Sequence, residues 1–118
     1  MGIQSREPAR DPQDLERLLI VRQHAGDVEG MVALFEPEAL IDNAEGRLIR
    51  GHAEIRTFFA EIVASGKKFQ MGTQTPAVIN GDLALTGTRL ADGTMTGEVA
   101  RRQSDGTWLW TIDKYQHG

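Results

Sequence analysis

The side chains able to do acid–base chemistry gather in the C-terminal third of the sequence. Glu98 and Arg102 stand four apart, so on a strand they project from one face together with Thr96 and Ala100. Strict alternation places Asp113 with Leu109, Thr111 and Tyr115, and turns Trp108, Trp110 and Ile112 to the opposite face. A carboxyl group turned into an apolar cavity holds its proton more tightly, which suits it to general acid–base work or to holding a water. Plainer roles exist for the same residues. Glu98 and Arg102 also fit a solvated charge pair worth little, and Asp113 fits a surface carboxylate beside Lys114. The two tryptophans fit a stacking platform, a core or a contact between subunits.

Other chemistries find less support. The chain has no cysteine, which excludes disulfides, thiolate metal sites and a cysteine nucleophile. His24, His52 and His117 are not spaced as metal ligands, so neither a metal nor a cofactor is expected. Ser65 and Ser104 fall at a helix end and in a turn, unlike a nucleophile elbow. The net charge is −4 and there is no basic run beyond a pair such as Lys67-Lys68, which gives no nucleic-acid footprint. No stretch approaches a membrane span, and the polar, charged N-terminus lacks the apolar core of a signal peptide. Met1-Gly2 is followed by Arg6, where myristoylation prefers Ser or Thr. The expected location is cytoplasmic, with no membrane partner.

The elements that must carry these residues follow from period and punctuation. Residues 1–10 carry almost no apolar side chains and read as a flexible tail before one domain over 11–116. Asp11 and Pro12 open a first helix with Leu15, Leu18 and Leu19 on its stripe, and Gly26 closes it. Asp27 caps a second helix with Val28, Met31, Val32 and Phe35 on one face, ended by Glu36-Pro37. Glu38 to Asn43 and Leu48 to Arg50 read as a short hairpin. A third helix follows, with Ile55, Phe58, Phe59, Ile62 and Val63 on its stripe, stopped by Gly66. Asn80-Gly81, Asp92-Gly93 and Asp105-Gly106 are turn signals that divide residues 69–116 into four long strands, with Gly72, Gly87 and Gly97 as candidate bends. The order α-α-β-β-α-β-β-β-β predicts an α+β fold: three N-terminal helices on the concave face of a strongly curved antiparallel sheet, with a conical pocket between the layers.

Three segments carry a resemblance. His24 to Phe35 (HAGDVEGMVALF), Ala39 to Gly46 (ALIDNAEG) and Arg50 to Phe59 (RGHAEIRTFF) resemble the nuclear transport factor 2-like superfamily, which has a cystatin-like cone. Ala100 to Asp113 (ARRQSDGTWLWTID) is similar to its SnoaL-like and ketosteroid isomerase-like branch. That superfamily hosts isomerases, dehydratases, epoxide hydrolases, cyclases and binding domains.

In the ketosteroid isomerases the general base stands eight residues after the Phe that closes helix two, which is Asn43 here. An amide takes no proton at neutral pH, and Asp42 beside it faces the other way. The tyrosine of helix one is matched by Leu19, so the resemblance does not imply isomerase chemistry. Limonene epoxide hydrolases place an asparagine at this strand position to help hold the attacking water, and an aspartate on the last strand, matched by Asp113. Their Arg-x-Asp pair is matched only by the arginine of Arg89-Leu90-Ala91.

The resulting expectation is a pocket that binds a small apolar molecule, with or without catalysis. Asn43 and Asp113 are its polar centre, and Leu19, Phe58, Phe59, Glu98, Arg102 and Tyr115 are candidate substrate contacts. Partnership as a homodimer through the convex sheet face is implied by the family.

Overall fold

A computed structural model describes residues 6–43 and 45–116. Three helices, α1 (Asp14–His24), α2 (Val28–Val32) and α3 (Gly51–Ala64), cover one face of a seven-stranded sheet. Its strands are β1 (Phe35–Asp42), β2 (Leu48–Arg50), β3 (Thr73–Gln74), β4 (Val78–Asn80), β5 (Leu83–Arg89), β6 (Met95–Arg102) and β7 (Trp108–Gln116). The order across the sheet is β2-β1-β7-β6-β5-β3, with β4 also on β5.

The α+β class and the helix order agree with the sequence. The sheet departs from the expected antiparallel one in being mixed: β1 runs parallel to β7, with Ile41 opposite Asp113. Trp110 N–H donates to the Leu34 carbonyl where the two strands begin. The first of the four long strands is also broken. Pro76 has no N–H to give a ladder, so the chain pairs with β5 as two short pieces, Thr73–Gln74 and Val78–Asn80.

Helix ends follow local hydrogen bonding. The Asp27 carboxylate accepts from Gly30 N–H at 3.0 Å and caps α2 as its sequence indicates. At α1 the residues Asp11 to Gln13 form a turn, and the regular helix starts at Asp14, two residues later than a cap at Asp11 suggests. The Asp14 carboxylate accepts from the N–H groups of Arg10 and Asp11, both at 3.1 Å. Phe35 belongs to β1 rather than α2, yet its ring still reaches the core, 5.7 Å from Phe59 and 5.1 Å from Trp110 between centroids. The core between the layers is built on Leu15, Leu18, Met31, Phe35, Ile41, Ile55, Phe59 and Trp110.

Residues 6–10, read as part of a tail, are packed onto the domain. Ala9 is 2% exposed, and its carbonyl accepts from Trp108 N–H at 2.9 Å. Arg6 forms a two-point ion pair with Asp27, and Glu7 pairs with Arg17. The Glu7 carbonyl also accepts from the guanidinium of buried Arg22. Residues 1–5 of the expected tail lie outside the described residues; the contacts of residues 6–10 use the backbone, two charged side chains and one small one, which leave no apolar pattern.

Candidate functional site: a carboxyl-lined cavity

Register arranges the inner face of the sheet in rows. Thr88, Thr96 and Tyr115 are direct cross-strand neighbours, as are Thr86, Glu98 and Asp113, and then Ala84, Ala100 and Trp110. Ile41 extends the second row and Phe35 the third across the parallel β1. The rows therefore run from hydroxyls through carboxyls to hydrocarbon.

One irregularity makes this arrangement. Val99 pairs with Ile112 and Ala100 with Trp110, so Thr111 is an extra residue in β7, a β-bulge. Strict alternation had put the tryptophans opposite Asp113. The bulge shifts the phase, so Trp108, Trp110 and Asp113 are all buried on the helix side, and Ile112 is the residue that faces out. The tryptophans are core, not an outer contact.

Above the first row and Asp113 of the second lies a cavity of about 580 Å³. Its hydrocarbon walls are Leu19 of α1, Phe58 and Ile62 of α3, Phe69 and Leu90; its polar lining includes Glu16, Asn43, Thr96, Asp113 and Tyr115. The C-terminal end of α1 sets the 67–70 wall in place. Buried Gln23 donates from Nε2 to the Lys67 carbonyl at 2.6 Å and accepts at Oε1 from Phe69 N–H at 3.0 Å. His24 Nε2 meets the Phe69 carbonyl at 2.7 Å, and Lys68 Nζ donates to the His24 carbonyl. Gly72 continues this segment so close to β5 that a Cβ there would stand 2.6 Å from the Arg89 carbonyl oxygen.

The acids dominate the electrostatics. Asp113 is 2% exposed, and its Oδ1 accepts from no group among the described residues. Burial, then the nearby Glu98 and Glu16 carboxyls, push its proton affinity far above the ordinary carboxylate range, against a smaller opposite pull from the Tyr115 hydroxyl. Glu98 is buried behind the cavity wall, its Oε1 accepting from Thr86 Oγ1 at 2.8 Å. Its pKa is raised by burial, with neighbouring hydroxyls opposing. Glu16 is pushed up to about 7, by burial first and by Glu98 second. Tyr115 is pushed above the ordinary phenol value by burial and by the same carboxyls, Asp113 foremost. Carboxyls this close favour sharing protons over full ionisation.

The structure thus brings Asp113, Asn43, Leu19, Phe58 and Tyr115 to one cavity and leaves three expected contacts elsewhere. Phe59 is fully buried in the core beneath Phe58. Glu98 touches the site only through its neighbours. Arg102 is exposed at the end of β6, donating to Asp82 Oδ1 from Nε at 2.9 Å and from Nη2 at 2.7 Å. Register keeps it on the face of Ala100, opposite Trp108, but it stands at the exposed end of β6, where its guanidinium turns to Asp82. Asn43 does line the cavity, while its Oδ1 is engaged by the N–H groups of Glu45, at 2.9 Å, and Arg47, at 3.3 Å. Asn43 thus both lines the cavity and ties the turn after β1. Asp42 faces away, 3.9 Å from Lys114 Nζ.

Glu16 is the residue the sequence reading missed. It precedes Leu19 by three positions, hence one helical turn along the same face, and that spacing was the available signal. Among the described residues no group of His, Cys, Asp and Glu is arranged to hold a metal ion, and no helix is long and apolar enough to cross a membrane.

Comparison with known proteins supplies a family. A family model described as a SnoaL-like domain matches residues 16–116. Among solved structures, a domain with a cystatin-like fold from Nostoc punctiforme superposes with a TM-score of 0.72 at 20% identity, covering 89% of this chain and 74% of that one. A nuclear transport factor 2-like protein with a cystatin-like fold from Novosphingobium aromaticivorans gives 0.72 at 17% identity, covering 86% and 76%. A ketosteroid isomerase-like protein from Erwinia carotovora atroseptica gives 0.71 at 12% identity, covering 87% and 90%. At these identities the likeness is one of fold. No curated protein matches the chain.

Proposed function

The chain belongs to the SnoaL-like domain family, and from that premise we propose that it binds a small, largely apolar molecule whose polar end meets the Asp113 carboxyl. The observation that carries this reading is the buried, unpartnered Asp113 Oδ1 on the wall of a cavity of about 580 Å³ otherwise rich in hydrocarbon. An unpaired buried polar atom is costly, and a ligand donor or acceptor would remove that cost. Methyl NMR tests it: titration with small apolar fragments bearing one polar group shifts the Leu19, Ile62 and Leu90 methyls saturably. Leu19→Trp, which fills the cavity, abolishes the shifts. Shifts that never appear, or that survive Leu19→Trp, refute the reading.

A catalytic reading is favoured by a second observation, the direct opposition of Glu98 and Asp113 with Glu16 nearby. A carboxyl whose proton affinity is raised far above the ordinary range and one with a pKa of about 7 are suited to act as acid and base in one cavity. Asn43 contributes no base; its amide is available to orient a substrate oxygen or a water. Turnover would be lost in both Asp113→Asn and Glu16→Gln while fragment binding remains.

The homodimer belongs to the same proposal. Val78, Leu85, Val99 and Ile112 are successive cross-strand neighbours on the outer face, three of them exposed, and such a row is covered at the cost of little else by a second copy.

A further inference from the structure

We propose that the inner end of the cavity is a cation subsite that takes the ammonium group of a small hydrocarbon amine, seated on Asp113 with Glu16 and the Tyr115 hydroxyl beside it. This rests on the small-molecule reading above and names the class of molecule.

Three elements aim acids at this end: α1 gives Glu16, β6 gives Glu98 behind the wall, and β7 gives Asp113 and Tyr115. No arginine lines the cavity. Arg102 is turned out to Asp82, and Arg22 is held by the Gly30 and Glu7 carbonyls. The two lysines on the wall, Lys67 and Lys68, belong to the 67–70 segment, and neither is among the groups that act on Asp113 or Glu16. The inner end therefore has acids and no base of its own.

Asp113 adds an observation independent of the count of acids. It is 2% exposed, lines the cavity, and has one oxygen that no described residue satisfies. A neutral ligand would satisfy that oxygen and leave the acids protonated. An ammonium carries three donors and a positive charge, which satisfies several acceptors together and lets the carboxyls ionise. Anionic ligands meet like charge here. The hydrocarbon body of the amine lies against Leu19, Phe58 and Ile62.

The linkage is explicit: the amine enters already protonated, Asp113 or Glu16 ionises against it, and that proton leaves to the buffer. No covalent bond is made or broken.

Calorimetry of the full chain near pH ~6.5, in two buffers of different ionisation enthalpy, tests this with 1-aminoadamantane and 2-aminotetralin against 1-adamantanol and 2-tetralol. The amines bind at least about tenfold tighter than the matching alcohols and release roughly one proton each. Asp113→Asn removes the preference and the proton release while keeping alcohol binding; Glu16→Gln, at a less buried position, weakens amine binding in a chain that folds normally. Alcohols binding as well as the amines, amine binding without proton release, or a preference that survives Asp113→Asn would overturn the cation subsite and leave small-molecule binding standing. Binding of neither class overturns both.

Discussion

Asp113 on β7 stands directly opposite Glu98 on β6, facing the same way, and the charges that act on it are the Glu98 and Glu16 carboxyls. Like acids in this position are mutually destabilising when ionised, so the folded state holds protons that the unfolded chain would release.

Stability should therefore fall as pH rises. Folded-state pKa values raised above their unfolded values give a contribution that is complete below the unfolded pKa and lost as pH climbs through the folded one. For Glu16 the window runs from the ordinary 4.5 to about 7, and for Asp113 it begins near 3.8 and extends far higher. Urea unfolding at about pH 5 and about pH 8 should show the loss, and Asp113→Asn should reduce it by about 1–3 kcal/mol at the higher pH. A pH-independent midpoint would count against the buried acids.

Asn43 should prove structural as well as site-lining. Removing its acceptor in Asn43→Ala leaves the N–H groups of Glu45 and Arg47 without it and should cost about 1–2 kcal/mol. Asn43→Asp keeps the acceptor and should stay within about 0.5 kcal/mol of the parent. Equal losses in the two variants, measured by denaturant unfolding, would contradict the turn role.

Adjacent phenylalanines should separate cleanly. Phe59→Ala empties a fully buried site and should cost about 3–5 kcal/mol. Phe58→Ala removes a ring from the cavity wall and should cost about half that, while admitting bulkier fragments. Thermal unfolding and fragment NMR report the two effects.

Deleting residues 1–10 should lower stability by about 2–3 kcal/mol, because Trp108 loses the Ala9 carbonyl and the cover that Ala9 provides. A red shift in tryptophan fluorescence would accompany it. Full stability in the truncated chain would show that the segment contributes nothing.

Exchanging Leu85 and Ile112 for lysine together should leave the fold intact and yield a monomer by sedimentation, if a second copy covers the outer row. A parent chain that is monomeric at all concentrations would refute the dimer.

What could be read from sequence and what could not divide along a physical line. The glycine turns at Gly81, Gly93 and Gly106 are local, and each has the positive φ that its sequence signals. The stripe of α3 is local too, and Ile55 and Phe59 are buried as the period requires. The parallel partnership of β1 with β7 joins segments far apart in the chain, and nothing local to either encodes it. Glu16 looks like any surface helix carboxylate until β6 and β7 supply Glu98 and Asp113 across from it. Thr111 carries no mark of a bulge, being neither glycine nor proline, and so the alternation rule sent the tryptophans to the wrong face. The same rule set Asp113 on the face opposite the tryptophans, where the structure puts all three on one.

That same bulge gives β7 a tolerance rare in strands. With Thr111 absorbed, the strand holds one residue more than its neighbour's ladder needs. A deletion of one residue near this point can be met by using up the spare, with Trp110 and Asp113 still directed inward, whereas elsewhere a lost residue inverts everything beyond it. A chain lacking Thr111 should therefore keep the amide cross-peaks between Glu98 and Asp113 in NMR. The last strand thus carries slack: its length can drift by one residue over generations without turning its acid out of the molecule.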